Sequence, residues 1–369
     1  MKKLIVLVLE GDYRLTTSVL FCLSRDPRVV IHMVSRDATS PFRYSRYVRS
    51  HHRQVQSELD ADFARFVQQV AARTHAQVLL PVNVEGMRFC IAHLSDLETA
   101  LRVLPLPSAH AYEIAADKSR LADFMPRHNI PGPITITNIG SLLPADLAAL
   151  RFPVLLKPAD GEGGAGIQLF REAAPLLEHV AHLPQGRSYV IQTYLEGYDI
   201  DCNVLYKDGR LLAYSVQRGL LPTPNAYAPT QAIEFVRNDA VLQVVDRLMT
   251  ALHWNGVAHL DLRYDTDSET INVIEINPRF WLTVVGSAVT AKVNFPVLAC
   301  RAALNQPVMP FAFALGRYIP FNNFLKYRYL SRLRDKVRFT FSNTSLLSFL
   351  GDPLPKLFCL LSPRSVRIE

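Results

Sequence analysis

Gly256-Val-Ala-His259-Leu-Asp261-Leu-Arg263-Tyr264 and Ile271-Asn-Val-Ile-Glu275-Ile-Asn277-Pro-Arg279 stand on either side of a polar turn, Asp265-Thr266-Asp267-Ser268. The pattern predicts a pair of strands. Side chains two apart on a strand share a face. His259, Asp261 and Arg263 therefore project together from the first strand, and Glu275 and Asn277 from the second. Two carboxylates and an amide oxygen on adjacent strands make a hard-oxygen cage suited to Mg²⁺, with nucleotide phosphates completing the octahedron. Arg279, two residues further on, is placed to stabilise a transferring phosphoryl group or an acyl-phosphate oxygen. The plain alternative is a polar sheet face closed by salt bridges. Buried carboxylates without partners are costly, which weighs against it.

Upstream lies Lys157-Pro-Ala-Asp160-Gly161-Glu-Gly163-Gly164-Ala-Gly166. A lysine ends the apolar strand 152–157, and a glycine-rich turn leads into the strand 167–170. Glycines let backbone N–H groups turn onto phosphate oxygens, and Lys157 adds a point charge. No Lys-Ser/Thr follows and the next element is a strand, so this is not a P-loop. A hairpin tip with an incidental lysine is the competing reading. Between the two motifs, Val190-Ile-Gln192-Thr193-Tyr194-Leu195-Glu196-Gly197-Tyr198-Asp199 runs from a strand into a turn. Its backbone groups can read an adenine edge, and Asp199 can accept from ribose hydroxyls. An ordinary strand-to-turn corner has the same pattern.

The rest of the chain bounds these readings. At 369 residues it suits two or three subdomains, and 49% hydrophobic with 20% charged residues is ordinary globular composition. No stretch approaches about 18 uninterrupted apolar residues, which argues against a membrane-spanning helix. The apolar run Leu4–Leu9 stops at Glu10, so it reads as a buried first strand and not as a secretory signal. Five scattered cysteines with no C-x-x-C fit a reducing cytoplasm and exclude a zinc ribbon or disulfide scaffold. Strands at 4–9, 29–34 and 78–82 alternate with helical spacing at 63–73, predicting a doubly wound α/β unit without G-x-G-x-x-G. Lys207-Asp208-Gly209-Arg210 predicts a hairpin. The net charge is +7, and residues 306–369 hold ten Lys/Arg against three acids, so a basic tail follows a neutral body.

Taken together and in this order, the motifs resemble the ATP-grasp superfamily over about residues 108–300. Within it, the opening domain and Ser45-Arg46-Tyr47 resemble bacterial carboxylate–amine ligases of the D-aspartate ligase and general carboligase type. The resemblance implies a pre-ATP-grasp α/β domain at 1–107 and a two-subdomain ATP-grasp fold at 108–305, and the basic extension at 306–369 falls outside it. It implies ATP as cofactor with Mg²⁺, or Mn²⁺. Lys118, in Asp117-Lys118-Ser119, and Lys157 would bind ATP phosphates. Residues 160–166, with Gly161, Gly163, Gly164 and Gly166, would form the lid over the γ-phosphate. Thr193, Tyr194 and Leu195 would contact adenine, and Asp199 the ribose. Asp261, Glu275 and Asn277 would hold the metal. Arg279, with Lys157 and either Arg218 or Lys292, would steady an acyl-phosphate. Thr193 stands where the family usually offers Glu, and Asp261 where it often offers Glu.

The implied chemistry is phosphoryl transfer from ATP to a carboxylate, followed by attack of an amine to give an amide. A catalytically quiet nucleotide-binding module and an ATP-dependent carboxylase are the alternatives. The expected partners are small-molecule carboxylate and amine substrates, with a homodimer as the default assembly. His259 is expected to be a packing residue. The arginine- and aromatic-rich run 41–53 reads as an exposed loop and helix. One short patch on a neutral body argues against nucleic acid. For the basic extension, peripheral contact with an anionic membrane at its inner face competes with helices packed on the body.

Overall fold

The computed structural model describes residues 3–55, 58–142, 146–160, 164–184, 186, 188–221, 230, 232–308, 312–329 and 341–361. Three sheets organise them. The first is parallel, with strands β1 (Leu4–Leu9), β2 (Val29–Ser35), β3 (Val48–Arg53), β4 (Val78–Pro81) and β5 (Arg102–Val103) in the order β3-β2-β1-β4-β5. Strands β1 and β4 at its centre are continuously apolar because both faces are covered. Val6, Val8, Ile31 and Met33 join the largest core, whereas Leu7, Leu9, Val34 and Leu79 pack with Phe63, Val67 and Val70 of helix Ala61–Thr74. The run 41–53 departs from the expected loop and helix. After a single 3₁₀ turn at Pro41–Tyr44, Val48–Arg53 forms the edge strand β3. An edge strand carries polar residues readily, so no apolar run announces it.

The second sheet is antiparallel and small. Strands β6 (Thr135–Ile136), β7 (Val154–Pro158), β8 (Gln168–Phe170) and β9 (Tyr189–Thr193) take the order β6-β9-β7-β8. Val154, Leu156 and Ile191 pack with Leu176 of helix Ala173–Ala181.

The third sheet has six strands, β10 (Gly197–Lys207), β11 (Arg210–Gly219), β12 (Ile233–Phe235), β13 (Gly256–Asp265), β14 (Thr270–Asn277) and β15 (Gly316–Tyr318), in the order β14-β13-β10-β11-β12-β15. The β10–β11 hairpin turns at Asp208-Gly209, both with positive φ (50° and 72°), as an Asp-Gly type I′ turn requires. Strand β15 comes from the basic extension and pairs with β12, so that extension contributes an edge to the body. Val204, Leu260, Leu262 and Ile276 of this sheet share one core with Val6, Val8 and Ile31 of the parallel sheet. No helix among the described residues is long and apolar enough to cross a membrane.

Candidate active site

The register of the six-stranded sheet puts polar side chains in two neighbouring rows. Gln217, Asp201, Asp261 and Glu275 stand opposite one another across β11, β10, β13 and β14. Ser215, Asn203, His259 and Asn277 form the next row. A bulge helps to set this. Asp261 pairs with Glu275 while Leu262 pairs with Val273, so Ile274 is the extra residue.

Asp261 is held from two sides. His259 Nε2 lies 2.9 Å from its Oδ1, and Asn277 Nδ2 donates to its Oδ2 at 2.9 Å. The other ring nitrogen of His259 lies 2.7 Å from Asn203 Oδ1. Asn203 Nδ2 in turn donates to Ser215 Oγ and Gln217 Oε1, and Gln217 Nε2 donates to Asp201 Oδ2. An imidazole with an oxygen acceptor on each nitrogen donates from both, which is the imidazolium form. Burial opposes that charge, but Asp261 and Asp201 outweigh it and raise the His259 pKa. His259 also stacks on Trp281, centroids 5.8 Å apart. It packs as expected and is wired to the carboxylate row as well, which the sequence reading had not assigned to it.

Burial and the facing Asp261 push Asp201 up to about 8. Asp261 is pulled the other way. Burial is outweighed by His259 and by donors around it, and its pKa falls to about 2. Glu275 is raised by burial and by Asp261, against the pull of Lys118. Asp201, His259 and Asp261 offer ligand atoms within 4.8 Å of one another.

The two lysines arrive from elsewhere. Lys118 opens helix Lys118–Arg127, whose first turn is capped by Asp117, and its Nζ lies 2.9 Å from Glu275 Oε2. Lys157 ends β7, is 5% exposed, and donates to Gln192 Oε1 at 2.6 Å. Burial draws its pKa down to about 8. Glu275 and Asp199 oppose that, while Lys118 and Arg263 add to it. Lys118 ties the two sheets together, its backbone N–H donating at 3.2 Å to Ala159 O just beyond β7 and its ammonium lying on Glu275 of β14.

The segment from β9 to β10 is latched by Arg263. Its Nε donates to Leu195 O (2.6 Å) and its Nη1 to Asp199 Oδ1 (2.6 Å). Its Nη2 donates to Gly197 O (3.0 Å) and Tyr194 OH (3.3 Å), with the guanidinium 5.3 Å from the Tyr194 ring centroid. Gly197 has φ 129°, and a Cβ there would overlap Tyr264 O, so the close approach of this turn to β13 needs glycine. Thr193 is buried, and its Oγ1 has no hydrogen-bond partner among the described residues.

Arg279 joins the rows, donating from Nη2 to Asn277 Oδ1 (3.1 Å) and from Nη1 to Phe280 O (2.8 Å). The Asn277 amide therefore turns its nitrogen, not its oxygen, towards Asp261 and Glu275. Its oxygen reaches them only after an end-for-end flip. Arg218 is not brought to the rows. It alternates with Gln217 on β11 and so takes the opposite face, where it pairs with Glu234 at 2.8 Å. Lys292 Nζ donates to Val289 O at the end of helix Val284–Val289. Gly164 and Gly166 have φ 79° and 76°. Gly161 and Gly163 lie outside the described residues. The sequence reading passed over Asp201, Asn203, Gln192 and Gln217. The same two-residue alternation in Asp199-Ile-Asp201-Cys-Asn203 carried the signal for Asp201 and Asn203.

Residues 115–283 match the family model of the ATP-grasp domain. The chain contains an ATP-grasp domain. This span includes Lys118, Lys157, Asp261, Glu275, Asn277 and Arg279. Several solved structures resemble most of the chain. An L-amino acid ligase from Bacillus licheniformis is 17% identical with a TM-score of 0.63, covering 82% of this chain and 75% of that one. An N5-carboxyaminoimidazole synthetase from Staphylococcus aureus is 12% identical with a TM-score of 0.67, covering 93% and 90%. The biotin carboxylase domain of 2-oxoglutarate carboxylase from Hydrogenobacter thermophilus is 15% identical with a TM-score of 0.65, covering 85% and 72%. These likenesses show a shared fold. Among curated proteins, the arginine-specific carbamoyl phosphate synthase large chain of Geobacillus stearothermophilus is 22% identical over 201 residues, which is 52% of this chain. The match covers only 19% of that relative's own length.

Proposed function

We propose that the protein is a Mg-ATP-dependent ligase that joins a carboxylate to an amine. The observation that carries this reading is the in-register placement of Asp261 opposite Glu275, with Asn277 between them, Lys118 on Glu275 and Arg279 on Asn277. Hard oxygens from two strands fit a divalent cation. Burial first, and then the facing Asp261, raise the Glu275 pKa, and a cation between the two carboxylates would relieve both their burial cost and their repulsion. Asp261, Glu275 and Asn277 would hold the magnesium. Bound there, it would supply charge neutralisation for the phosphates.

The remaining work falls to the chain's own side chains. Lys118 and Lys157 neutralise phosphate oxygens of ATP. The turn at Tyr194 and Leu195, with Thr193 behind it, receives adenine, and Asp199 the ribose. Gly164 and Gly166 belong to the turn that covers the γ-phosphate. His259, braced by Asn203, fixes the orientation of Asp261. In the reaction a substrate carboxylate oxygen attacks the γ-phosphorus of ATP, giving an acyl-phosphate and ADP. An amine then attacks the acyl carbon, loses a proton and expels phosphate. Arg279 steadies the acyl-phosphate oxygens. Catalysis is positioning and charge neutralisation, and no nucleophilic side chain is needed.

A second reading, an ATP-dependent carboxylase, draws on the 2-oxoglutarate carboxylase neighbour, whose structure contains MgADP and bicarbonate. A quiet nucleotide-binding module has no need of the whole constellation. Hydroxylamine trapping separates these. A hydroxamate formed from an added acid with Mg-ATP supports the ligase. ADP release that depends on bicarbonate with no added acid supports the carboxylase. Nucleotide binding with neither supports the module.

A further inference from the structure

Two features that the active-site reading leaves unused meet in the fold. One is the arginine-rich run that follows Pro41, and the other is the C-terminal extension. Helix Leu354–Leu361 lies on the 3₁₀ turn Pro41–Tyr44. Phe358 packs on Tyr44 with centroids 5.0 Å apart, and the Arg43 guanidinium lies 5.1 Å from the Phe358 centroid and 4.8 Å from that of Tyr44. Just before this helix, Asp352 accepts from the Ser45 hydroxyl and, at 3.0 Å, from the Arg46 backbone N–H. Pro355 and Cys359 are buried on the body side.

These contacts fix which side of helix Leu354–Leu361 faces out, helix Leu346–Gly351 before it buries Ser348, and the exposed side chains described on both helices are leucines. Leu347, Leu350, Leu354, Leu357, Leu360 and Leu361 are 51, 57, 52, 43, 64 and 80% exposed. Single exposed leucines are commonplace, but six within one short stretch form a patch that calls for a partner. The described groups beside it are positive: Arg43 and Arg46 are exposed on the turn and Lys356 lies on the helix. The sequence of this extension, 306–369, carries ten Lys/Arg against three acids.

We propose that this leucine face, rimmed by Arg43, Arg46 and Lys356, docks on the surface of an anionic phospholipid bilayer. The leucines would enter the acyl boundary and the basic groups would meet lipid phosphates. Interfacial helices bind through apolar area together with attraction to anionic headgroups, and this face supplies both. A second copy of the chain fits less well. Two such faces would bring together two surpluses of positive charge, and Asp352, the acid beside the leucines, is already engaged with Ser45 and Arg46.

The test is flotation of the full chain with vesicles of one part phosphatidylglycerol to two parts phosphatidylcholine, against phosphatidylcholine alone. The chain should float with the anionic vesicles and bind phosphatidylcholine alone, or anionic vesicles in high salt, at least about tenfold more weakly. L350E combined with L357E, and separately R43E with R46E, should weaken anionic-vesicle binding at least about tenfold while nucleotide affinity is kept. If the glutamate pair loses its thermal unfolding transition, L350S with L357S supplies the same comparison. Three results would overturn the proposal. The chain could fail to float, or float unchanged by the leucine substitutions. It could also run as a dimer that L350E with L357E splits, without floating.

Discussion

The Lys118 ammonium lies 2.9 Å from the Glu275 carboxylate, although one residue opens a helix and the other sits near the end of an edge strand of the six-stranded sheet. The proposed reaction assigns the two to different tasks, the lysine to phosphate and the carboxylate to metal. Each holds the other's charge in a half-buried setting, and breaking such a pair from one side leaves an uncompensated charge. Lys118→Ala should lower nucleotide affinity about tenfold or more, the scale of a hydrogen bond to a charged group. Glu275→Gln should cut turnover by at least about a hundredfold with nucleotide affinity kept within a few-fold. The two effects on affinity should not add in the double variant, because the residues touch. Calorimetric titration with ADP and a turnover assay read both.

Lys157 is a buried cation held at a cost. Its pKa falls from 10.5 to about 8, chiefly through burial. For a base whose folded pKa is depressed, the folded state binds fewer protons than the unfolded state between the two values. Stability therefore rises as pH climbs from about 8 to 10.5. Lys157→Met removes the charge. It should raise thermal stability at neutral pH by about 1–3 kcal/mol, the lower end reflecting the lost bond to Gln192. It should also weaken nucleotide binding and flatten the rise in stability with pH. Wild-type nucleotide affinity should decline above about pH 8 as this ammonium is lost. Thermal melts across pH, paired with nucleotide titrations, check all three outcomes.

Arg218 and Arg279 provide a direct contrast. Arg218 pairs with Glu234 on the far face of β11 and is 47% exposed, whereas Arg279 bonds Asn277 within the rows. Arg218→Ala should cost under about 1 kcal/mol of stability, as exposed ion pairs do, and leave turnover within about twofold. Arg279→Ala should reduce kcat about a hundredfold, the scale of losing one preorganised cation at developing charge. Steady-state kinetics on the two variants in parallel measures the difference.

Arg263 contacts Tyr194, Leu195, Gly197 and Asp199 at once. Lysine offers the charge but not the planar fork, so Arg263→Lys should loosen this turn. The expected result is a rise of about tenfold in KM for ATP with kcat changed by less than about threefold, since the proposed binding mode sets this turn against the nucleotide base and not the reacting phosphorus.

The sequence carried this site unevenly, for physical reasons. Alternation along two strands put His259, Asp261, Arg263, Glu275 and Asn277 on shared faces because strand periodicity does not depend on the rest of the fold. The same rule applied to Asp199, Asp201 and Asn203 would have added a third strand. Cross-strand register was not legible. The bulge at Ile274, which sets Asp261 opposite Glu275, leaves no mark in the residue order. Arg218 was misplaced because its position beside Gln217 fixes only its parity, and parity put it on the other face. The edge strand Val48–Arg53 was hidden by its polar residues. The direction of the Asn277 amide depends on Arg279 and two carboxylates together, a three-body arrangement that spacing does not encode.

The central claim is best tested by ADP release from Mg-ATP across a matrix of small carboxylates and amino acids, with Glu275→Gln as the blank. The account predicts ADP only where one acid and one amine are present together, with the matching amide as product and nothing from the Glu275→Gln variant. ADP released equally by Glu275→Gln, or a wild-type chain that binds no ATP, would contradict it.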